Sequence, residues 1–124
     1  MNLLIIGSGA REHAFASKIK ESEHDIKIFV TNANHGISLI SNSIDLDIND
    51  FNQIRNTIIK HSISFVLIGP EIPLINGIVD FIKTDPLLAN VSLIGPSKSG
   101  SRLEGSKEFA KKFMYKYNIP TASY

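Results

Sequence analysis

Short apolar runs alternate along this chain with segments whose apolar residues recur at helical spacing. The runs predict strands over 3–6, 26–30, 65–68 and 91–94, and several of them do not alternate internally, which is typical of strands buried on both faces. A different pattern occurs within 41–49, where Ile44, Leu46 and Ile48 alternate with aspartates and predict a short, half-exposed strand.

The segments between the strands predict helices. The first runs from residue 11 to about 22, with Ala14, Phe15 and Ile19 as candidates for its buried side, and Asn49 or Asp50 is expected to cap the second. The apolar positions that mark the later helices are Phe51, Ile54, Ile58 and Ile59, then Ile75, Ile78, Val79 and Ile82, and finally Phe109, Ala110, Phe113, Met114 and Tyr117. This alternation predicts an α/β fold, a mostly parallel sheet with helices on both faces.

Composition narrows the function classes. The chain has 124 residues, of which 43% are hydrophobic and 20% charged, and this suits one soluble domain. A net charge of +1 gives no footprint for nucleic acid or an anionic membrane. The absence of cysteine excludes disulfides, thiolate catalysis and cysteine zinc sites, and the first residues lack a signal-peptide pattern. We therefore expect a cytoplasmic protein without a membrane partner.

Glycine loops follow several of the predicted strands, and parallel strands would bring them to one edge of the sheet. They are Gly7-Ser8-Gly9, Gly69-Pro70-Glu71, Gly95-Pro96-Ser97 and, less clearly, Asn34-His35-Gly36. Glycine can simply end strands and permit tight turns, but several such loops on one edge favour a binding site.

The loop at 7–9 directly precedes a helix, so its N–H groups and the helix N-terminus could hold a phosphate, assisted by Arg11. Dinucleotides are disfavoured because Glu12 replaces the third glycine of the dinucleotide fingerprint and Thr31 stands where an acidic residue is needed. A Walker A loop is also missing, since Ser101-Arg102 follows the glycine spacing at 95–100. The residues alone indicate a phosphate-binding α/β domain of unspecified ligand.

Four ordered motifs carry a resemblance across the whole chain: 7–14 (GSGAREHA), 69–79 (GPEIPLINGIV), 95–109 (GPSKSGSRLEGSKEF) and 119–122 (IPTA). They resemble the motifs of the glycinamide ribonucleotide synthetase (phosphoribosylamine–glycine ligase) family of ATP-grasp enzymes. Ala10 departs from the usual glycine, and in the 34–37 loop only Asn34 and Gly36 match. The resemblance implies a Rossmann-like domain over 1–103 that precedes the ATP-grasp region, with 104–124 as a linker helix and the start of that region.

The same resemblance implies an activity. The family joins phosphoribosylamine and glycine with ATP and Mg²⁺, releasing ADP and phosphate, through an acyl phosphate of glycine. We expect ATP and Mg²⁺ to be bound mainly by parts of the enzyme outside this chain, the full-length enzyme to be a monomer, and this fragment alone to be inactive. No catalytic residue is assigned to it.

The resemblance also implies site residues. Those expected to bind substrate are Gly7, Ser8, Gly9, Arg11, Glu12, His13, Gly69, Pro70 and Glu71, and Lys107 is expected to contact an ATP phosphate. Simpler roles remain open: solvated cations for Arg11 and Lys107, helix capping for Glu12, helix N-terminal charge for Glu71, and packing or solvation for His13. We interpret Phe109, Phe113 and Met114 as core, and the scattered histidines indicate no metal site.

Two alternatives to the ligase stay open at this point. One is a stand-alone phosphate-ligand-binding module with a Rossmann-like fold. The other is the N-terminal domain of a different ATP-grasp enzyme, although the motifs at 7–14 and 103–107 argue against it.

Overall fold

Five parallel strands form one sheet in a computed structural model that describes residues 1–123. The strands are β1 (Asn2–Ile6), β2 (Lys27–Thr31), β3 (Asn42–Ile44), β4 (Phe65–Ile68) and β5 (Ser92–Ile94). Their order across the sheet is β3-β2-β1-β4-β5, and every neighbouring pair is parallel. The predicted parallel sheet is therefore confirmed.

Helices cover both faces of this sheet, as the sequence predicts. They are α1 (Ala10–Lys20), α2 (His35–Ser38), α3 (Phe51–Lys60), α4 (Glu71–Asn76), α5 (Ile78–Thr84), α6 (Lys98–Gly105) and α7 (Lys107–Lys116), with a 3-10 turn at Pro86–Leu88. Leu4 and Ile6 of β1 pack with α3, α4 and α5 on one face, whereas Leu3 and Ile5 pack with α1 and α2 on the other. Alternate side chains of one strand thus enter two separate cores, which explains why the strand sequences are apolar throughout.

The structure corrects the predicted strand within 41–49, because β3 ends at Ile44. Asn32 follows β2 with φ of 48°, and its side chain pairs with Leu46 in place of strand backbone. Its Nδ2 donates to the Leu46 carbonyl (2.7 Å), and its Oδ1 accepts from the Leu46 N–H (3.1 Å). Leu46 and Ile48 still pack against the core, so their alternation reports burial rather than strand structure. Asp50, one of the two proposed residues, caps α3.

One predicted helix is divided in two, because Gly77, with φ of 95°, separates α4 from α5. The apolar spacing from Phe109 to Tyr117 did not predict α6, which Ser106, with extended backbone, separates from α7. No described residue of α7 is buried, so the prediction that Phe109, Phe113 and Met114 form core is wrong. These side chains are half-buried, because Phe109 packs on Arg102 and Phe113 packs on Tyr117 at the surface.

In α1 the expected buried residue Ala14 is exposed and Ala16 is buried instead, while Phe15 and Ile19 pack against the core as predicted. Within residues 1–123, no helix is both long and apolar enough to cross a bilayer.

Candidate functional site

The site lies where the chain changes direction across the sheet. After β1 the chain builds β2 and β3 on one side, and it then returns to place β4 on the other side of β1. The carboxyl ends of β1 and β4 therefore diverge into two loops, Gly7-Ser8-Gly9 and Gly69-Pro70-Glu71, at the position where open α/β sheets bind ligands.

Arg11 and Gly69 join the two loops directly. The Arg11 Nη1 donates to the Gly69 carbonyl oxygen at 2.5 Å, although the two residues lie 58 positions apart in the sequence. The Gly69 N–H in turn donates to the Ile6 carbonyl at 3.1 Å, continuing the β1–β4 pairing. Arg11 as a residue is exposed, and this hydrogen bond fixes one end of its guanidinium near the carboxyl ends of both strands.

Glu12 lies beneath these loops and is 6% exposed. Its Oε2 accepts a hydrogen bond from the Gly9 N–H at 2.7 Å, at the residue that begins α1. A carboxylate at a helix N-terminus is stabilised in two ways, by a charge-assisted hydrogen bond and by the positive end of the helix dipole. This internal contact satisfies the Gly9 amide without any ligand.

Three glycines leave room for the Glu12 side chain. A Cβ atom on Gly69 would lie 1.9 Å from Glu12 Oε1, one on Gly7 would lie 2.9 Å from Glu12 Cδ, and one on Gly9 would lie 3.1 Å from Glu12 Oε2. The Glu12 carboxylate therefore explains in part why glycine occurs at these positions in both loops, since a larger residue would collide with it.

Gly7 has a second constraint, since its φ of 108° favours glycine and its N–H donates to Thr31 Oγ1 at 2.8 Å. Thr31 is completely buried at the end of β2. The N–H groups of Gly7 and Gly9 are both engaged within the chain, so they are not available to an anion. Donors that can reach one include the first-turn amides of α1, which no side chain caps, and the Arg11 guanidinium.

An open cleft of about 300 Å³ lies beside this arrangement. Its lining residues are Gly9, Ala10, Arg11, Glu12, Pro70 and Glu71. Glu71 is exposed at the first residue of α4, opposite in charge to Arg11. Ala10 is the first residue of α1 and its φ is not positive, so the departure from glycine is compatible with the loop.

The weakly matching Asn34–Gly36 segment docks onto the first loop. The Asn34 Nδ2 donates to the Ser8 carbonyl at 2.8 Å, while its Oδ1 accepts from the Ile37 N–H at 3.0 Å and caps α2. Gly36 lies against the half-buried His13 ring, with its absent Cβ only 2.6 Å from Cε1. Sequence reasoning missed this role of Asn34, although an asparagine before a short helix is a recognisable capping signal.

Other candidate features lie apart from the cleft. Lys107 is exposed at the first residue of α7 and is not among the residues that line the cleft, and the Gly95-Pro96-Ser97 loop leads into α6, which Ser97 caps. A larger concave region of about 390 Å³, lined by Ile58, Ile59, Leu87 and Leu88 among others, lies where β4 and β5 begin, the edge opposite to the glycine loops. Among residues 1–123, no three histidine or acidic side chains come together to hold a metal ion.

Comparisons with known proteins identify the family of this chain. The family model for phosphoribosylglycinamide synthetase, N domain, matches residues 1–104. A phosphoribosylamine–glycine ligase of Rhodopirellula baltica is 42% identical, over 99% of this chain and 27% of its own length. A bifunctional purine biosynthetic protein of Saccharomyces cerevisiae is 38% identical over 100% of this chain and 16% of its own length.

Solved structures give the same result. A phosphoribosylamine–glycine ligase of Thermotoga maritima superposes with a TM-score of 0.64 at 25% identity, covering 99% of this chain and 26% of that one. The chain thus corresponds to about a quarter of the length of such relatives. It belongs to the family of phosphoribosylglycinamide synthetase N domains.

Proposed function

We propose that this chain is the N-terminal part of an ATP-dependent ligase that joins 5-phosphoribosylamine and glycine in de novo purine biosynthesis. The products are glycinamide ribonucleotide, ADP and phosphate. The family match over 1–104 and the names of the relatives support this proposal. The enzyme would act in the cytoplasm as a monomer, with residues 1–103 as the substrate-binding domain and 104–124 leading into the ATP-grasp region.

The cleft between the two glycine loops is the proposed binding site for the sugar phosphate. The observation that carries this assignment is the Arg11 guanidinium, which is held at 2.5 Å from the Gly69 carbonyl beside an uncapped helix N-terminus. A phosphate placed there would receive charge-assisted hydrogen bonds from Arg11 and first-turn amides of α1. Glu71, across the cleft, would accept hydrogen bonds from ribose hydroxyls or from the amine.

In this proposal the chain binds substrate but does not perform the chemical step. ATP supplies the energy that activates the glycine carboxylate, and Lys107 would reach an ATP phosphate from the start of α7. Residues 1–123 bring no three acidic or histidine side chains together, and in this proposal Mg²⁺ is bound mainly by parts of the enzyme outside this chain. The isolated chain would therefore bind a sugar phosphate without turning it over.

A titration with ribose 5-phosphate, a stable analogue of phosphoribosylamine, tests the binding site. We expect backbone amide shifts at Gly9, Ala10 and Arg11 in NMR spectra of the chain. Removing a charge-assisted hydrogen bond costs about 1.5–3 kcal/mol, so Arg11→Ala should weaken binding about tenfold or more. Lys18→Ala is the matched control, because Lys18 is an exposed cation in the last turn of the same helix.

Equal affinity of the Arg11→Ala chain and the unmodified chain would contradict the assigned site. Absence of any shift at millimolar ribose 5-phosphate would contradict the proposal that this chain binds the sugar phosphate.

A further inference from the structure

Glu12 differs from the other acidic residues around the cleft because its carboxylate is directed into the protein. It is 6% exposed, whereas Glu71, also in the first turn of a helix at this edge, is exposed. One oxygen accepts from the Gly9 N–H, and the other lies against Gly69 in the loop from the opposite strand. The side chain therefore touches both halves of the site from below.

We infer that Glu12 is a positioning residue: its carboxylate sets the separation and orientation of the two glycine loops, and it acts on the substrate through them. The inference rests on the proposed sugar-phosphate site. It assigns Glu12 no direct contact with substrate, unlike the role that the motif resemblance implies.

Charge supports this division of roles. A phosphate that approached the Glu12 carboxylate would meet a like charge, and the Gly9 N–H that could have bound the phosphate already donates to Glu12. Arg11, the adjacent residue, points to the opposite loop and remains exposed. Two neighbouring residues of one helix turn thus have different roles: Glu12 holds the Gly7–Gly9 loop from inside the protein, and Arg11 faces the ligand.

The position of Glu12 also restricts the ligand. In dinucleotide-binding loops the third glycine of the fingerprint permits close packing of helix against strand. Here Glu12 occupies that sequence position, and its side chain fills the space that Cβ atoms on Gly7 and Gly69 would need. Gly9, the second glycine, is the point where such loops approach a pyrophosphate, and its N–H already donates to Glu12, which disfavours a pyrophosphate at this loop.

The test compares Glu12→Gln and Glu12→Ala with Glu23→Gln as a matched control, because Glu23 is an exposed carboxylate after the end of α1 and does not line the cleft. In the ligand-free chain, Glu12→Ala should shift the amide resonances of both Gly9 and Gly69, because the Glu12 side chain contacts both residues. Glu12→Gln keeps an acceptor oxygen and the side-chain volume, so it should shift Gly9 strongly and Gly69 weakly. Glu23→Gln should leave both resonances unchanged.

Binding of ribose 5-phosphate gives the second readout. We expect Glu12→Ala to weaken binding tenfold or more and Glu12→Gln to restore most of it, because the loops are again held apart correctly. The inference would be overturned if Glu12→Ala left the Gly69 resonance in place, or if Glu12→Gln bound as weakly as Glu12→Ala. If the unmodified chain does not bind ribose 5-phosphate, the proposed function fails, whereas the ligand-free spectra still decide the role of Glu12.

Discussion

Gly69→Ala provides a direct steric test of the contact between the two loops. The added Cβ would lie 1.9 Å from Glu12 Oε1, 2.7 Å from Cδ and 2.9 Å from Cγ, so the whole carboxyl end must move. Moving it breaks the 2.7 Å hydrogen bond from the Gly9 N–H, a charge-assisted bond that contributes about 1.5–3 kcal/mol. The backbone of Gly69 is outside the left-handed region, so alanine itself introduces no conformational strain there.

The expected free-energy change follows from these terms. Alanine restricts the unfolded chain and so stabilises by about 0.4–1 kcal/mol, which leaves a net destabilisation of about 1–2 kcal/mol. In a Glu12→Ala background the three nearest atoms are gone, and Gly69→Ala should be neutral or stabilising by up to about 1 kcal/mol. The two substitutions should therefore be coupled by about 2 kcal/mol, within the range found for residues in contact.

Urea unfolding of the four chains in this cycle measures the coupling, provided that the dependence on urea is the same for each. Gly77→Ala is the control, because its φ of 95° strains alanine and its added Cβ would meet Lys98 rather than Glu12, so its cost should not depend on Glu12. An equal cost of Gly69→Ala in both backgrounds would refute the proposed contact.

Two further predictions concern hydrogen bonds that hold the fold. Thr31→Val removes the hydroxyl that accepts from the buried Gly7 N–H and should destabilise the chain by about 1–3 kcal/mol in urea unfolding, whereas Thr31→Ser keeps the hydroxyl; equal stability of the Val and Thr chains would contradict this. The Arg55 side chain and the Leu87 N–H lower the pKa of Asp85, so its contribution to stability is present above its unfolded pKa of about 3.9 and is lost as pH falls through the lower folded value. Asp85→Asn should therefore lower the melting temperature at pH 7 and flatten its decline in acid, whereas Asp45→Asn, at an exposed position, should not.

Most of the fold could be predicted because burial on both faces leaves a direct signal. Strand β1 is apolar at every position from Leu3 to Ile6, and such a run with glycine after it is typical of a central parallel strand. The division at Gly77 was not predicted, because apolar spacing continues from Ile75 to Ile78 across a residue whose φ is positive. Hydrophobic periodicity reports which side chains are buried, but it does not report a local change in backbone direction.

The motifs name several residues that the structure brings together at the two loops, but they do not give the contacts between them. For Glu12 the sequence left both substrate binding and helix capping open, and its hydrogen bond from the Gly9 N–H is seen only in the structure. In the sequence, Thr31 is informative only because it stands where dinucleotide-binding domains need an acidic residue. Its hydrogen bond from the Gly7 N–H depends on β1 and β2 lying side by side. Contacts of this kind follow from tertiary placement and leave no local pattern.

The strand order has a consequence for how the domain is made. Because Leu3 pairs with Phe65, the central β1–β4 ladder forms between segments that are far apart along the chain, and pairings of this kind are slow to form. During synthesis the ribosome releases β1, α1, β2 and α2 before β4 has been made. The Gly7–Gly9 loop therefore cannot contact the Gly69–Glu71 loop until β4 has joined the sheet. The cleft is therefore created by one of the longest-range folding events of the domain, and an incomplete chain that ends before Gly69 would carry Arg11 without the carbonyl that holds it.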